Sequence, residues 1–409
     1  MIKRIAAFAG LPLLASLSSF ILLPIIANVG GAPAWNSLAV GQAVGAIAAI
    51  LIGLGWPLTG PAAVAASGDE TVRRRFYAVS FVTRSFMFVC AVPLMALTLA
   101  FTTGASQFWL AFLMACAQAA AGLTPAWYCI ATGHAGRIAK YDVLPRMVAT
   151  LGVIPLLFAT GEISFYPLAL IVLGLAGTLW FNKDHSNRSD FSGLGLTAIL
   201  KEIWALRAGA GITAAAGAYA STPVLVVQFA ASTAGLASFV TAEKFYRIGL
   251  LATAALGNSL QGWVSEHGGD HTRRRVFSLR ALTGLGLAGW ALLALLGPWV
   301  SFMLFPKVPA DFWTCFWFGL SFFLVCVTTS TGAHWLVPAK KMRVVFYSTI
   351  VGAVLGLPAM IILSGLMGGQ GGALGLVIGE VAVTVIQLLA ILRLVRGEAP
   401  TREVDGAAL

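Results

Sequence analysis

Gly68-Asp69-Glu70-Thr71-Val72-Arg73-Arg74-Arg75-Phe76 has an echo about two hundred residues later, Gly269-Asp270-His271-Thr272-Arg273-Arg274-Arg275-Val276-Phe277. Each copy is a polar, arginine-rich step between apolar runs. Ile5–Asn28 and Leu38–Leu58 precede the first copy, and Ala208–Phe229 and Leu236–Leu260 precede the second. The first run of each pair carries a proline, Pro24 and Pro223, at nearly the same offset. Arginine runs are common at helix ends, so the match draws its weight from falling at half the chain length. An even number of apolar runs separates the copies, which gives them one orientation and implies a two-fold axis along a membrane normal. Two bundles facing each other across such an axis leave a central cleft, which is the plan of a transporter.

The apolar runs themselves require lipid. Of 409 residues, 59% are hydrophobic and only 10% charged. One soluble core cannot hide that much apolar surface, because cores stop growing near this size. Runs long enough to cross a bilayer recur with little between them. The others are Tyr77–Leu99, Phe108–Ile130, Leu144–Thr160 and Phe165–Phe181 in the first half, and Ala281–Leu304, Phe312–Leu336, Val344–Leu366 and Gly371–Leu392 in the second. The first run follows Lys3 and Arg4 like a signal peptide, but it is longer than such apolar regions and reads as a helix. The expected fold is all-α and integral to the membrane, with about 12 transmembrane helices in two six-helix bundles and both termini cytoplasmic. Residues 1–182 form the N-terminal bundle, 183–206 a cytoplasmic link, 207–394 the C-terminal bundle and 395–409 a cytoplasmic tail.

A net charge of +11 could suggest a nucleic-acid partner, but its distribution argues for topology. Arg73–Arg75, Arg137, Lys140, Arg146, Lys183, Arg188, Lys201, Arg207, Arg273–Arg275, Arg280, Lys340, Lys341, Arg343, Arg393, Arg396 and Arg402 all fall on the side of the termini. The opposite side carries only Lys307. That bias orients a multi-pass protein of the cell (plasma or inner) membrane. Trp56, Trp127, Trp180 and Trp263 fall near inner ends, and Trp35, Trp109, Trp299 and Trp313 near outer ends, as an aromatic belt.

The same pattern excludes several activities. No outer loop exceeds about ten residues, which leaves no room for an extracytoplasmic catalytic domain, so no enzyme is expected. Cys90, Cys116, Cys129, Cys315 and Cys326 lie inside spans without metal-ligand spacing, and the five histidines are dispersed near the inner face. Neither metal nor cofactor is expected. Gly284-Leu285-Gly286-Leu287-Ala288-Gly289 matches a dinucleotide fingerprint, but it lies inside a span with no strand before it. Gly41/Gly45 and Gly371/Gly375/Gly379 have the spacing that lets helices approach closely.

Charges within hydrocarbon are costly and need a reason. Glu243, Lys244 and Arg247 fall within the eighth run, Glu380 within the twelfth and Arg84 within the third. Entering from outside at Leu236, the helix places Lys244 about 12 Å deep and Arg247 about 16 Å. Glu243 and Arg247 share a face and can pair, whereas Lys244 points about 100° away and needs a separate partner or water. One reading is a neutral Glu243–Arg247 pair. The other is a wet cavity in which Lys244 and Arg247 attract an anionic group, a task suited to the planar guanidinium. Gln42 falls opposite Glu243 when the second and eighth runs are overlaid, which adds it to the cavity candidates. Arg84 either joins the site or snorkels. Glu243 and Glu380 are the candidates for ion coupling, Glu380 alternatively being a buried hydrogen-bonding acid.

Three features carry a resemblance. They are Gly55-Trp56-Pro57-Leu58-Thr59-Gly60-Pro61-Ala62-Ala63-Val64-Ala65; Pro125-Ala126-Trp127-Tyr128 with Gly133 and Arg146; and the span count with a central link. The chain resembles the polysaccharide-repeat-unit (Wzx-type) flippases of the multidrug/oligosaccharidyl-lipid/polysaccharide exporter superfamily. It departs from them at His134, where an acidic residue is common, and at Asn258-Ser259, where a proline is. The resemblance implies a V-shaped pair of bundles whose helices one, two, seven and eight line a cationic cavity. It also implies an undecaprenyl-diphosphate-linked oligosaccharide as cargo, moved from inner to outer leaflet by alternating access for cell-surface polysaccharide biosynthesis. Membrane lipids and the polysaccharide polymerase machinery would be its partners. The alternatives are a Na⁺- or H⁺-coupled small-molecule or drug antiporter of the same fold and, from another class, a membrane glycosyl-transfer enzyme.

Overall fold

The computed structural model describes residues 2–265 and 271–397. Gly269 and Asp270 of the repeated motif, and the tail beyond residue 397, lie outside the described residues. Among the described residues the chain is helical throughout, with no strand. In chain order the helices are α1 (Ile2–Gly53), α2 (Trp56–Ala66), α3 (Glu70–Thr102), α4 (Phe108–Ala120), α5 (Ala126–Ala131), α6 (Ala135–Ile138), α7 (Leu144–Gly152) and α8 (Ile154–Thr160). They continue as α9 (Phe165–His185), α10 (Leu196–Ala230), α11 (Thr233–Ser265), α12 (His271–Leu295), α13 (Gly297–Leu304), α14 (Phe312–Ser330), α15 (Met342–Met367) and α16 (Gly369–Gly397).

All twelve expected spans are helical, and the differences lie in how they start, break and join. The first two runs share α1, separated at Gly31, whose backbone (φ 62°, ψ −167°) is open to glycine and strained for other residues. The fourth run is divided. α4 tightens into a 3₁₀ turn at Ala121–Leu123, and Pro125 then starts α5. Proline has no N–H to continue the ladder, so the break leaves carbonyls needing other donors. Two π-helical turns, Ala139–Val143 and Thr331–Leu336, adjoin α7 and α14. The link is much shorter than the sequence suggests: α9 runs to His185 and α10 begins at Leu196, with a 3₁₀ turn, Arg188–Phe191, between them. Nine stretches among the described residues are long and apolar enough to cross a membrane. α11 is not one of them.

Packing divides the chain into two compact units, which is a different cut from the sequence repeat. The first unit comprises Met1–Thr241 with Val300–Ala310, the second Ala242–Trp299 with Asp311–Leu409. Within the first, Gly41 and Gly45 press α1 onto α4: a Cβ on either would come within 2.3 Å of the carbonyl oxygens of Ala111 and Ala115. Gly217 brings α10 against Ile50 of α1 in the same way. At the other end of the unit, Trp35 Nε1 donates to Thr241 Oγ1 (3.1 Å), and Thr241 Oγ1 donates to the Val308 carbonyl (2.8 Å). Phe305 packs on the Trp35 ring at 5.4 Å, and Asn36 Nδ2 reaches the Thr233 carbonyl at 2.8 Å. In the second unit, Gly375 faces the backbone of Met360 and Gly379 that of Gly356, so α15 and α16 meet along a stripe of small residues. Gly286 and Gly289 of the dinucleotide-like string receive the Phe323 and Phe322 side chains of α14.

The aromatic belt needs correcting. Trp109, Trp180, Trp263, Trp299 and Trp313 are exposed, as an interface requires, but Trp35, Trp56 and Trp127 are buried. Trp56 and Trp127 pack on each other with ring centroids 5.5 Å apart, tying α2 to α5. These three are core residues that happen to lie near helix ends.

Candidate functional site

Glu243, Lys244 and Arg247 form one cluster on α11 of the second unit. Their spacing sets the geometry: residues four apart on a helix are neighbours, so the Glu243 carboxylate reaches Arg247 through Oε1 and Nε. Its second oxygen lies 3.6 Å from Lys244 Nζ. Lys244 was expected to look for a separate partner, and Glu243 serves it as well. The Cα–Cβ vector does point away, but the four-carbon stem is long and flexible enough to bring the ammonium back. One carboxylate thus stands between two cations, and the cluster carries a formal charge of +1. Its members are unequally buried. The side chains of Glu243 and Lys244 are 6% and 13% exposed, while that of Arg247 is 49% exposed. The arrangement holds an arginine in a fixed place by its Nε and leaves half its side-chain surface open.

The other predicted residues lie elsewhere. Gln42 is half-buried on α1 of the first unit. Glu380 is buried on α16 of the second, and its backbone carbonyl accepts a hydrogen bond from Thr384 Oγ1 (2.7 Å). Arg84 neither snorkels nor opens to a cavity: it is 1% exposed. Its Nη1 donates to the carbonyls of Gly122 (2.9 Å) and Thr124 (3.0 Å), and its Nε to Ser80 O one turn back (3.2 Å). The guanidinium also lies 5.9 Å from the centre of the Trp127 ring. Arg84 thus caps the break between α4 and α5, where the helix dipole is negative and the proline has left carbonyls without donors. It is a clamp for the backbone.

The arginine motif at the start of α3 also has a definite task. Asp69 caps the helix by accepting from Thr71 N at 2.8 Å. Arg75 Nη1 donates to the carbonyls of Asp190 (2.5 Å) and Ser192 (2.7 Å), and Arg74 pairs with the Asp190 carboxylate at 3.4 Å. The link between α9 and α10 is fastened to α3 by these two side chains. In the second copy, Arg274 instead donates to the Trp263 carbonyl at 2.8 Å and lies over the Trp263 ring.

Sequence reasoning missed a second polar centre. His334 is 0% exposed and bonded to Ser278 and the Gly257 carbonyl in the second unit, and Ser278 is bonded in turn to Ser330. The available signal was the hydroxyl run Thr328-Thr329-Ser330-Thr331 followed by His334, with Ser330 and His334 four apart. Among the described residues no group of three or more metal-ligating side chains occurs.

No protein-family model and no curated protein sequence matches this chain. Solved structures do. The lipid II flippase MurJ in an inward closed conformation superposes with a TM-score of 0.74 at 10% identity, over 96% of this chain and 88% of that one. A multidrug resistance MATE family transporter of the MOP superfamily, inward-facing, gives 0.68 at 15% identity, over 94% and 96%. The Vibrio cholerae MATE transporter VcmN gives 0.56 at 14% identity, over 97% of each chain. The likeness runs the length of the chain, and its identities are those at which a fold is shared: this is a multi-pass, all-helical membrane fold of about twelve spans in two bundles, the fold of MATE transporters and of MurJ.

Proposed function

We propose that this protein is a membrane transporter that flips an anionic lipid-linked oligosaccharide, a polyprenyl-diphosphate-linked repeat unit, from the inner to the outer leaflet for cell-surface polysaccharide biosynthesis. One observation carries the reading: a single carboxylate serves two intramembrane cations, and the arginine of the pair keeps half its side-chain surface exposed. Two neighbouring cations, one of them half exposed, suit a diphosphate. Guanidinium binds phosphate oxygens through parallel N–H donors, and low surrounding polarity strengthens that bond. Glu243 prepares the site by fixing Arg247 and holding Lys244 beside it. The fold shared with a lipid II flippase supports the substrate class, and the resemblance in the first half of the sequence supports the oligosaccharide. Arg84 is occupied by backbone carbonyls and has no part in the proposal.

A drug antiporter of the same fold is the second reading. A cationic drug would meet a net positive cluster, and the one carboxylate there is already paired. The two readings part on a direct test. Arg247→Ala and Lys244→Ala are expected to lower translocation of a diphosphate-linked lipid in proteoliposomes at least about tenfold, equivalent to 1.4 kcal/mol, with insertion unchanged. Wild-type translocation by both variants would sink the assignment, and wild-type extrusion of cationic dyes with no lipid translocation would favour the antiporter.

A further inference from the structure

The polar centre around His334 has a direction that follows from its donors and acceptors. His334 Nε2 lies 3.1 Å from the Gly257 carbonyl. A carbonyl only accepts, so Nε2 carries the ring's proton and Nδ1 of the neutral imidazole is an acceptor. Ser278 Oγ, hydrogen-bonded to Nδ1, must then donate to it. That commits the Ser278 proton, so Ser330 Oγ, 3.1 Å away, donates to Ser278. The order is Ser330 to Ser278 to His334 to Gly257, linking α14, α12, the π-helical turn Thr331–Leu336 and α11. All three side chains are 0% exposed.

The turn that carries His334 is held from its other side by a second chain. Thr331 Oγ1 donates to Gln387 Oε1 of α16 (2.5 Å), and Gln387 Nε2 donates to Ser348 Oγ of α15 (3.1 Å). The Val337 N–H returns to the Gly332 carbonyl at 3.0 Å, five residues back. Such a turn is poorer in backbone geometry than an α-helix and depends on its neighbours. The charged residues of α12 are Arg273, Arg274, Arg275 and Arg280, and the Arg275 guanidinium lies 5.8 Å from the ring centre of Trp335, the residue after His334. Glu380, buried on α16, lies two turns before Gln387. Arg343 on α15 and Arg393 on α16 are exposed. α14 carries no Asp, Glu, Lys or Arg, and α11 none between Arg247 and the end of the helix.

We propose that His334, with Ser278 and Ser330, is a proton-binding site, at which uptake of one proton on Nδ1 reverses this chain of hydrogen bonds and loosens the turn Thr331–Leu336. The proton comes from water and forms an N–H bond; nothing is oxidised or reduced. Once Nδ1 carries hydrogen it can only donate, so Ser278 must accept from it and turn its own hydroxyl to Ser330. Ser330 must then turn to a carbonyl of its own helix. The new imidazolium is a charge buried away from water, where the ionised form is costly. The packing seen here is therefore that of the unprotonated site, and the protonated form favours a different packing of the turn. The site does not rest on the substrate proposed above, and it supplies a driving ion that the flippase reading does not name.

The test needs no substrate. Hydrogen-exchange protection of segment 331–337 is measured on the purified full chain in lipid nanodiscs between pH 5.5 and 7.5, as protection factors from which the intrinsic pH dependence of exchange has been divided out. The wild type is expected to lose protection at least about tenfold toward acid. His334→Gln keeps a donor for the Gly257 carbonyl but cannot take up the proton, so it is expected to show equal protection at both pH values. No loss in the wild type, or the same loss in His334→Gln, overturns the proposal. If His334→Gln does not fold, Ser278→Ala decides: removing the hydroxyl that must reverse is expected to move the pH midpoint of the loss, and an unmoved midpoint overturns the proposal.

Discussion

Arg84 shows how a buried charge can be legible in a sequence while its purpose is not. Its position within a span was plain. Its partners were not, because they are backbone carbonyls that become available only where Pro125 breaks the next span. Arg84→Met removes donors from the Gly122 and Thr124 carbonyls. At about 1–3 kcal/mol for each buried group left unsatisfied, the loss is on the order of 3 kcal/mol. Thermal unfolding in detergent should show a clear drop, partly restored in Arg84→Lys, whose ammonium is a donor without the fork. Glu243 is a similar case at higher stakes. Glu243→Gln leaves Lys244 and Arg247 without their shared counter-charge, so it is expected to destabilise the protein by about 3–5 kcal/mol, read as loss of monodisperse protein on extraction. The i,i+4 pairing of Glu243 and Arg247 could be derived from helical spacing. The return of Lys244 could not, because side-chain reach rather than Cβ direction decides it.

At the scale of elements, apolar length located every span, since twenty apolar residues in a row leave the backbone no choice but to satisfy its own hydrogen bonds. Breaks inside spans were harder to read. The 3₁₀ turn at Ala121–Leu123 and the two π-helical turns depend on tertiary partners that apolar periodicity does not encode. The glycine stripes are packing surfaces, as their spacing implies, and they give a paired prediction. Gly375→Leu would drive a side chain into the Met360 backbone, 2.5 Å from the first added carbon, so α15 and α16 must part. Gly365→Ala, on the same α15 with nothing within 4 Å, should leave stability unchanged or raise it by about 0.4–1 kcal/mol. Equal behaviour of the two variants in a thermal-stability assay would show that close approach does not hold this pair together.

For the whole molecule, the repeated arginine motif marks two halves of the sequence, and packing cuts the chain elsewhere. Sequence similarity marks descent of a segment, whereas compactness is decided by which apolar faces meet, and α10 meets α1. The first copy of the motif fastens the link between α9 and α10. Arg75→Ala with Asp190→Asn should free it, and trypsin should then cut at exposed Arg188 about tenfold faster, since cleavage follows the population of the opened segment. An unchanged rate would show that the link is held by other means. The outer knot of Trp35, Thr241 and Val308 has a consequence for how the protein is made. The first unit takes its last piece from Val300–Ala310, about 70 residues after Thr241. At roughly 5–20 residues per second, Trp35 and Thr241 wait about 3–14 s during translation before Val308 has been synthesised. Throughout that interval the polar seam stays unfinished, so slowing the ribosome between residues 241 and 310 should hurt yield more than slowing it anywhere else.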